Sequence, residues 1–170
     1  MSDNKFYAEK IGSKQVSAPA DLNGAAVTGA RVSTDTGSRV AVELSFGASA
    51  AATIDVSFQQ HDAAAGGNSK ALTIQGNYYV KSGADTKFTK TEIRPDDSGL
   101  SDSVSLAADF GGDGSAGGIV VFDFPAEFLD ANGGFNHLSV NVADSTAIKI
   151  MSGVYHVSNV DHEPAYDLDL

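Results

Sequence analysis

The stretch "RVAVELSF", residues 39–46, alternates apolar and polar side chains without a break. Its apolar positions are Val40, Val42, Leu44 and Phe46. Because successive side chains of a β-strand point to opposite faces, this period of two predicts a strand with one face buried. Such strands are typical of antiparallel sheets, so the stretch favours an all-β fold.

The same period recurs along the chain at residues 54–59 and 137–142. Further strands are predicted at 26–33, 71–80, 86–93 and 103–109. Clusters of Gly, Ser, Asp and Asn separate these segments and supply the turns between them. About nine strands at this spacing predict a single antiparallel β-sandwich or jelly-roll-like domain, which we place at residues 25–158.

The stretch "GIVVFDF", residues 118–124, is almost continuously apolar, which predicts a central strand covered on both faces. Substitution of Asp for Val121 there, or for Val140 in the strand at 137–142, is therefore expected to abolish folding. The following "PAEFLDANGG" predicts one helical turn, because Pro125 suits a first helical position and Gly133 follows its end.

The stretch "AIKIMSGVYHV" begins with an alternation that places Ile148 and Ile150 inward. Further on, Tyr155 and Val157 take the apolar side instead. An extra residue in a strand produces such a change of phase, so the pattern predicts a β-bulge at Ser152–Gly153.

Two segments lie outside the strand pattern. Residues 1–24 are mixed and polar and predict an extended N-terminal arm, so deletion of residues 1–20 is expected to leave a folded domain. Residues 159–170 carry four acidic side chains and predict an acidic C-terminal tail.

The charge balance bounds the kinds of partner. The chain has 170 residues, 11 Lys and Arg against 22 Asp and Glu, a formal net charge of −11 and no cysteine. This charge repels phosphate backbones and anionic lipid, so we expect no nucleic-acid partner and no membrane partner. The lack of cysteine excludes thiolate catalysis and Cys-ligated metal sites. No apolar run is long enough to span a bilayer and "MSDNKFYAEK" is unlike a signal peptide, so we expect synthesis in a cytoplasm.

The densest polar cluster is "SFQQHDAAAGGNSKAL", which contains the residue types of a hydrolase triad in His61, Asp62 and Ser69. Neighbouring side chains of a strand point to opposite faces, however, and Ser69 has no G-x-S-x-G context. We therefore interpret the stretch as strand, turn and strand, with Asn68 or Ser69 bonding the turn backbone.

The other histidines, His137, His156 and His162, show no metal-ligand spacing. Asp109 and Asp113 lie in the glycine-rich "ADFGGDGSAGG", which invites a calcium site but lacks the alternating ligands and distal Glu of an EF-hand. A flexible surface loop is the prediction there.

Two further groups invite a chemical role. The carboxylates Asp96, Asp97 and Asp102 could supply the two carboxyl groups of a glycosidase, and the tyrosines Tyr78, Tyr79 and Tyr155 a sugar-stacking platform. The carboxylates follow a proline in a predicted turn, where they are solvated. We predict no catalytic, cofactor-binding or metal site, no cofactor and no enzymatic activity.

Four stretches resemble a group of small head-associated proteins of tailed bacteriophages and prophages. They are "ADLNGAAVTGARVSTDTGSRVAVELSFGAS", "FQQHDAAAGGNSKAL", "GIVVFDFPAEFLDANGGFNHLSVNVAD" and "EPAY". The resemblance extends over roughly residues 18–166, nearly the whole predicted domain.

The resemblance implies a virion component that decorates the outer capsid surface as a cement protein. Its implied partners are the major capsid protein and further copies of itself, with a trimer as the favoured homo-oligomer. The alternative is a tail or fibre-base adhesin that contacts the host surface.

Overall fold

The computed structural model describes residues 11–35, 39–93 and 103–158. Within them the chain forms twelve strands and two short 3₁₀ turns. The strands are β1 (Ile11–Asp21), β2 (Val27–Thr28), β3 (Val32–Ser33), β4 (Arg39–Phe46), β5 (Asp55–His61), β6 (Ser69–Leu72), β7 (Gly76–Ser82), β8 (Thr89–Ile93), β9 (Ser103–Ser105), β10 (Gly118–Pro125), β11 (His137–Val142) and β12 (Ile150–Ser158). The turns are Ala126–Phe128 and Ala131–Gly133.

The strands form two antiparallel sheets. The first sheet has the order β1-β12-β4-β10-β7-β8, and the second has the order β2-β11-β5-β6, with β3 also on β11 and β9 also on β5. The predicted all-β antiparallel sandwich is thus confirmed, although its strands are more numerous and shorter than expected. No helix in the described part of the chain is long and apolar enough to cross a membrane.

The core lies between the sheets and follows from the alternation in the sequence. In β4 every second side chain is buried, from Val40 to Phe46, as predicted. Aromatic contacts join the layers, since the rings of Phe58 in β5 and Phe122 in β10 meet edge to face at 5.1 Å. Within the first sheet, Tyr78 of β7 stacks on Phe122, with ring centroids 5.5 Å apart. Such pairs add to the burial of apolar area that drives folding.

Tyr155 connects the two sheets. β2 and β3 pair with the two ends of β11, and neither strand pairs with the middle of β11. On this edge of β11 the Val140 amide therefore has no acceptor from a neighbouring strand. The Tyr155 hydroxyl, from β12 of the first sheet, accepts this amide hydrogen at 3.0 Å. Burial raises the pKa of Tyr155 to about 12. The bond satisfies a backbone donor that would otherwise be buried without a partner.

The strand β10 occupies the middle of the first sheet, as predicted, but its two faces differ. Val120 and Phe122 point into the core. Val121 is also buried, yet it lies on the outer face, where Glu43 and Tyr79 are its paired neighbours. Further along that face Arg39 binds Asp123 with two hydrogen bonds of 2.8 and 3.3 Å.

The predicted bulge in β12 is wrong. β12 keeps an unbroken register with β4 and buries Met151, Gly153, Tyr155 and Val157 in regular alternation. Ile148 and Ile150, expected inward, are 62% and 48% exposed. The register shifts lie in the neighbouring strand β1, between Gln15 and Ser17 and again between Ser17 and Ala20. The apparent change of phase arose because Gly153 holds an inward position without an apolar side chain.

The predicted N-terminal arm also needs correction. Residues 11–21 form the edge strand β1, antiparallel to β12, and Val16 enters the core. The sandwich therefore begins at residue 11 rather than at residue 25. Sequence pattern missed this strand because its bulges interrupt the alternation and Val16 is its one buried apolar side chain between residues 12 and 21. The rest of the predicted arm, residues 1–10, and the predicted tail, 159–170, lie outside the described residues.

The remaining predicted elements are found with adjusted bounds. The segment 26–33 is split into β2 and β3, and 71–80 contains parts of β6 and β7. In place of one helical turn the structure has two 3₁₀ turns, and Gly134 ends the second in the left-handed region at φ 85°. Asp130 caps that turn through Gly133 N, and its own amide donates to the buried Gln60 side chain at 2.7 Å.

Candidate functional site

Apart from Ala71, the outward side chains of the second sheet are polar, and we call the surface on which they lie the polar face. In β5 and β11 the inward positions are apolar or bonded core residues, and the alternate positions point out. Paired residues of neighbouring strands share a face, which extends the surface across the sheet. The members of the polar face are Thr28, Ser33, Asp55, Ser57, Gln59, His61, Ser69, Ser103, Ser105, His137, Ser139 and Asn141.

This surface carries little charge. Asp55 is its one residue with a carboxylate or an ammonium or guanidinium group, although the whole chain has a formal net charge of −11. The other members are hydroxyl, amide and imidazole side chains, most of which are partly exposed. Such groups can both donate and accept hydrogen bonds, so the face suits a polar, uncharged partner surface.

His61 and Ser139 form a buried hydrogen bond on this face. It is 3% exposed, and its Nε2 is 2.7 Å from the Ser139 hydroxyl. Its Nδ1 has no hydrogen-bond partner among the described residues. Burial, with smaller effects from Arg31 and His137, lowers the pKa of His61 below its ordinary 6.5. Burial therefore favours the neutral form of the imidazole.

Arg31 fastens the β5–β6 loop, residues 62–68, beside this histidine. Its Nη1 donates to the carbonyls of Ala63 and Gly66 at 2.8 and 2.5 Å. The loop closes on itself, because both carboxylate oxygens of Asp62 accept hydrogen bonds from Asn68. These bonds lower the pKa of Asp62. The predicted strand, turn and strand are confirmed. The expected bond from the Asn68 side chain to the turn backbone is replaced by one to the Asp62 carboxylate, which also accepts from the Asn68 amide.

His137 is oriented by a chain of side chains at the end of β11. Its Nδ1 is 2.7 Å from Asn136 Oδ1, and Asn136 Nδ2 donates to Asp35 at 2.6 Å. His137 also faces His61 directly across the β5–β11 pair. The two imidazoles therefore share one corner of the polar face, next to Arg31.

This corner does not have the arrangement of a hydrolase site. His61 and Ser69 are cross-strand neighbours, yet the hydroxyl bonded to His61 belongs to Ser139, which is 1% exposed and out of reach of a substrate. Asp62 is bonded to the turn and does not bind the imidazole. The geometry instead fixes the loop and orders the surface around it.

The glycine-rich loop, predicted to be a flexible surface loop, is anchored at its second half by a buried lysine. Lys149 is completely buried, and its Nζ donates to the carbonyls of Gly114 and Ala116 at 2.6 and 2.8 Å. Burial lowers the pKa of Lys149. The two candidate calcium ligands bond separately: Asp109 accepts from the Tyr78 hydroxyl, and Asp113 accepts from Ser115 N.

The other candidates from sequence are dispersed. His156 lies on the outer face of the first sheet with Ser13 and Glu43, far in the topology from His61 and His137. Tyr78 and Tyr155 are buried in the core while Tyr79 points to the outer face, so they form no platform. Among the described residues no three His, Asp or Glu side chains group to hold a metal ion. Asp96, Asp97, Asp102 and His162 lie outside the described residues.

Sequence reasoning missed the residues that organise these loops. Arg31, Ser139 and Lys149 have no motif, and each acts through contacts with distant parts of the chain. For Lys149 the pattern pointed the other way, because its place between Ile148 and Ile150 predicts an outward lysine, whereas the lysine is buried and the two isoleucines are exposed. The polar face itself could be read from the outward positions of the predicted strands at 54–59 and 137–142.

The chain has a distant structural similarity to a prophage-derived protein. No protein-family model matches the chain, and no curated protein is similar to it in sequence. Among solved structures, the crystal structure of the SPBc2 prophage-derived protein YomS is similar at a TM-score of 0.43 and 14% sequence identity. The similarity covers 86% of this chain and 92% of that chain.

Proposed function

We propose that this protein is a structural virion component of a tailed phage that decorates and stabilises the outer capsid surface. The partners in this proposal are the major capsid protein and further copies of the protein itself. The resemblance of the four sequence stretches supports it, and the polar face is the structural observation that carries it. Repeated over a shell, weak contacts made by such a face add up through avidity.

The polar face suits such contacts because its outline is fixed. Its central strands pair in regular register over six residues, and the bonds of Arg31 and Asp62 hold the adjoining loop. A preorganised surface loses little entropy when it binds. Its hydroxyl and amide groups match the polar rim and trapped water of protein interfaces better than they match a phosphate backbone.

A matched pair of substitutions tests the role of the face. Ser57→Arg places a large cation in the middle of the polar face, whereas Ser45→Arg places the same side chain at a half-buried position on the outer face of the first sheet. We expect Ser57→Arg to weaken attachment to purified capsids at least tenfold and Ser45→Arg to leave it unchanged. Equal attachment of both variants, with unchanged urea unfolding, would remove the polar face from the proposal.

The alternative is a tail or fibre-base adhesin. The polar face is compatible with it, because amide, hydroxyl and imidazole groups also form hydrogen bonds with sugar hydroxyls. Copy number in purified virions separates the two. Abundance comparable to that of the capsid subunits supports decoration, whereas a handful of copies together with binding to a glycan array supports the adhesin.

A further inference from the structure

The four sheet edges of the described residues are not equally protected. β1 is interrupted by two register shifts and contains Pro19. In the second sheet, one edge is split into β2 and β3, which pair with β11. The other edge is split into β6 and β9, which pair with β5. Bulges, prolines and short strands are the usual means by which proteins keep edges from pairing with another chain. Three of the four edges are therefore interrupted or made of short strands, whereas β8 is protected only by its charged side chains, Lys90 and Glu92.

The remaining edge, β8, is a regular strand. All five of its residues, Thr89–Ile93, pair with β7 without a register shift, and no described strand pairs with its other side. Thr89, Lys90 and Glu92 are exposed. A regular strand of this kind presents a row of backbone donors and acceptors to an added strand.

The charges of β8 are self-complementary. Lys90 and Glu92 point to the outer face of the first sheet, because their partners in β7 are Tyr79 and Asn77. If two copies of β8 pair antiparallel about Thr91, Lys90 of each copy lies opposite Glu92 of the other. A shift of the centre to Lys90 or to Glu92 would instead place like charges face to face, which is unfavourable.

We propose that two copies of this protein associate through their β8 strands, paired antiparallel about Thr91, so that the two first sheets become one continuous sheet. The contact has twofold symmetry, as an isologous interface requires. It differs from the trimer that the resemblance implies. A five-residue pair is small, so we expect weak association that becomes significant where copies are concentrated, as on a shell.

Cross-linking tests the geometry directly. The chain has no cysteine, so Thr91→Cys introduces a single thiol. Directly opposed residues of an antiparallel pair have Cα atoms roughly 4.5–5.5 Å apart, which a disulfide can span. We expect oxidised full-length Thr91→Cys, although half-buried, to form a covalent dimer several times faster than Gln15→Cys, at an exposed position on the β1 edge. Equal rates would overturn the proposal.

Charge reversal tests the register, with the dimer measured by sedimentation over a wide range of concentration. Lys90→Glu turns two attractions into two repulsions and should weaken the dimer about tenfold or more. The double variant Lys90→Glu with Glu92→Lys should restore it. A monomer at every concentration, or a trimer indifferent to these changes, would overturn the proposal. Because the isolated protein is measured, the result is independent of attachment to capsids.

Discussion

The His61 imidazole makes the stability of the fold depend on pH. In the unfolded chain it binds a proton near its ordinary pKa of 6.5, but burial in the folded protein lowers that pKa. The unfolded state therefore takes up the proton first as the pH falls. The free energy of unfolding should decrease below about pH 6.5 and level off once the pH is below the lowered pKa.

We expect His61→Gln to remove this part of the pH dependence, because glutamine can still bond to Ser139 but does not titrate in this range. The measurement is urea unfolding of both proteins from about pH 7 to about pH 5. The matched control is His156→Gln, on the outer face of the first sheet. An unchanged slope in His61→Gln would show that the buried position does not perturb the histidine.

The Tyr155 hydroxyl gives a second prediction at the residue scale. Tyr155→Phe removes the acceptor of the Val140 amide and keeps the ring, so a buried donor is left unpaired. We expect a loss of about 1–3 kcal/mol in the free energy of unfolding. Hydrogen exchange should show the Val140 amide losing protection. Full protection of that amide in folded Tyr155→Phe would mean that another group accepts its hydrogen.

At the scale of elements, Lys149 determines the order of the glycine-rich loop. Lys149→Met keeps an apolar stem but leaves the Gly114 and Ala116 carbonyls without their donor. We expect the free energy of unfolding to fall by about 2 kcal/mol or more and the amides of residues 107–117 to exchange faster. Lys81→Met, at a half-buried position on the outer face of the first sheet, is the control. Equal changes in the two variants would contradict the anchoring role.

The presence of the edge strand β1 changes the expected effect of deleting the N-terminal residues. The sequence predicts a folded domain after deletion of residues 1–20, but that deletion removes nearly all of β1 and the buried Val16. We now expect the deletion to destabilise the sandwich by more than Val16→Ala alone, which should cost about 1–3 kcal/mol. Gln15→Ala, at an exposed position in β1, should cost little. Thermal unfolding of the three proteins measures the difference, and a fully stable deletion variant would contradict it.

These elements show what periodicity can and cannot predict. Strands with unbroken alternation, such as β4 and β11, were predicted closely because each position has one face buried. The predictions for β1 and β12 were wrong because apolar side chains do not mark every core position there. In β1 the bulges interrupt the alternation, and in β12 an inward position is occupied by Gly153. The polar corner around His61 could not be predicted, because Ser139 and Arg31 are distant in sequence. They come close to His61 only because of the order of the strands in the sheet.

At the scale of the whole molecule, the two sheets share one core, and a charge placed in that core affects both. Val140 is fully buried between the layers and paired with Phe58, whereas Val121 is buried outside the core, beside Glu43 on the outer face. Sequence alone treated the two valines alike. Val140→Asp should abolish cooperative unfolding, because a carboxylate there has neither solvent nor partner.

Val121→Asp should be milder, since Val121 lies outside the core cluster, and its cost comes from burial of the carboxylate and from repulsion by Glu43. We expect a folded protein that is destabilised by about 1–3 kcal/mol and is more sensitive to urea above the pKa of the new carboxyl than below it. Circular dichroism through a urea titration distinguishes the two variants. Loss of all structure in Val121→Asp would show that the outer face of β10 is as tightly covered as the core, and that the strand order alone does not set the cost of a buried charge.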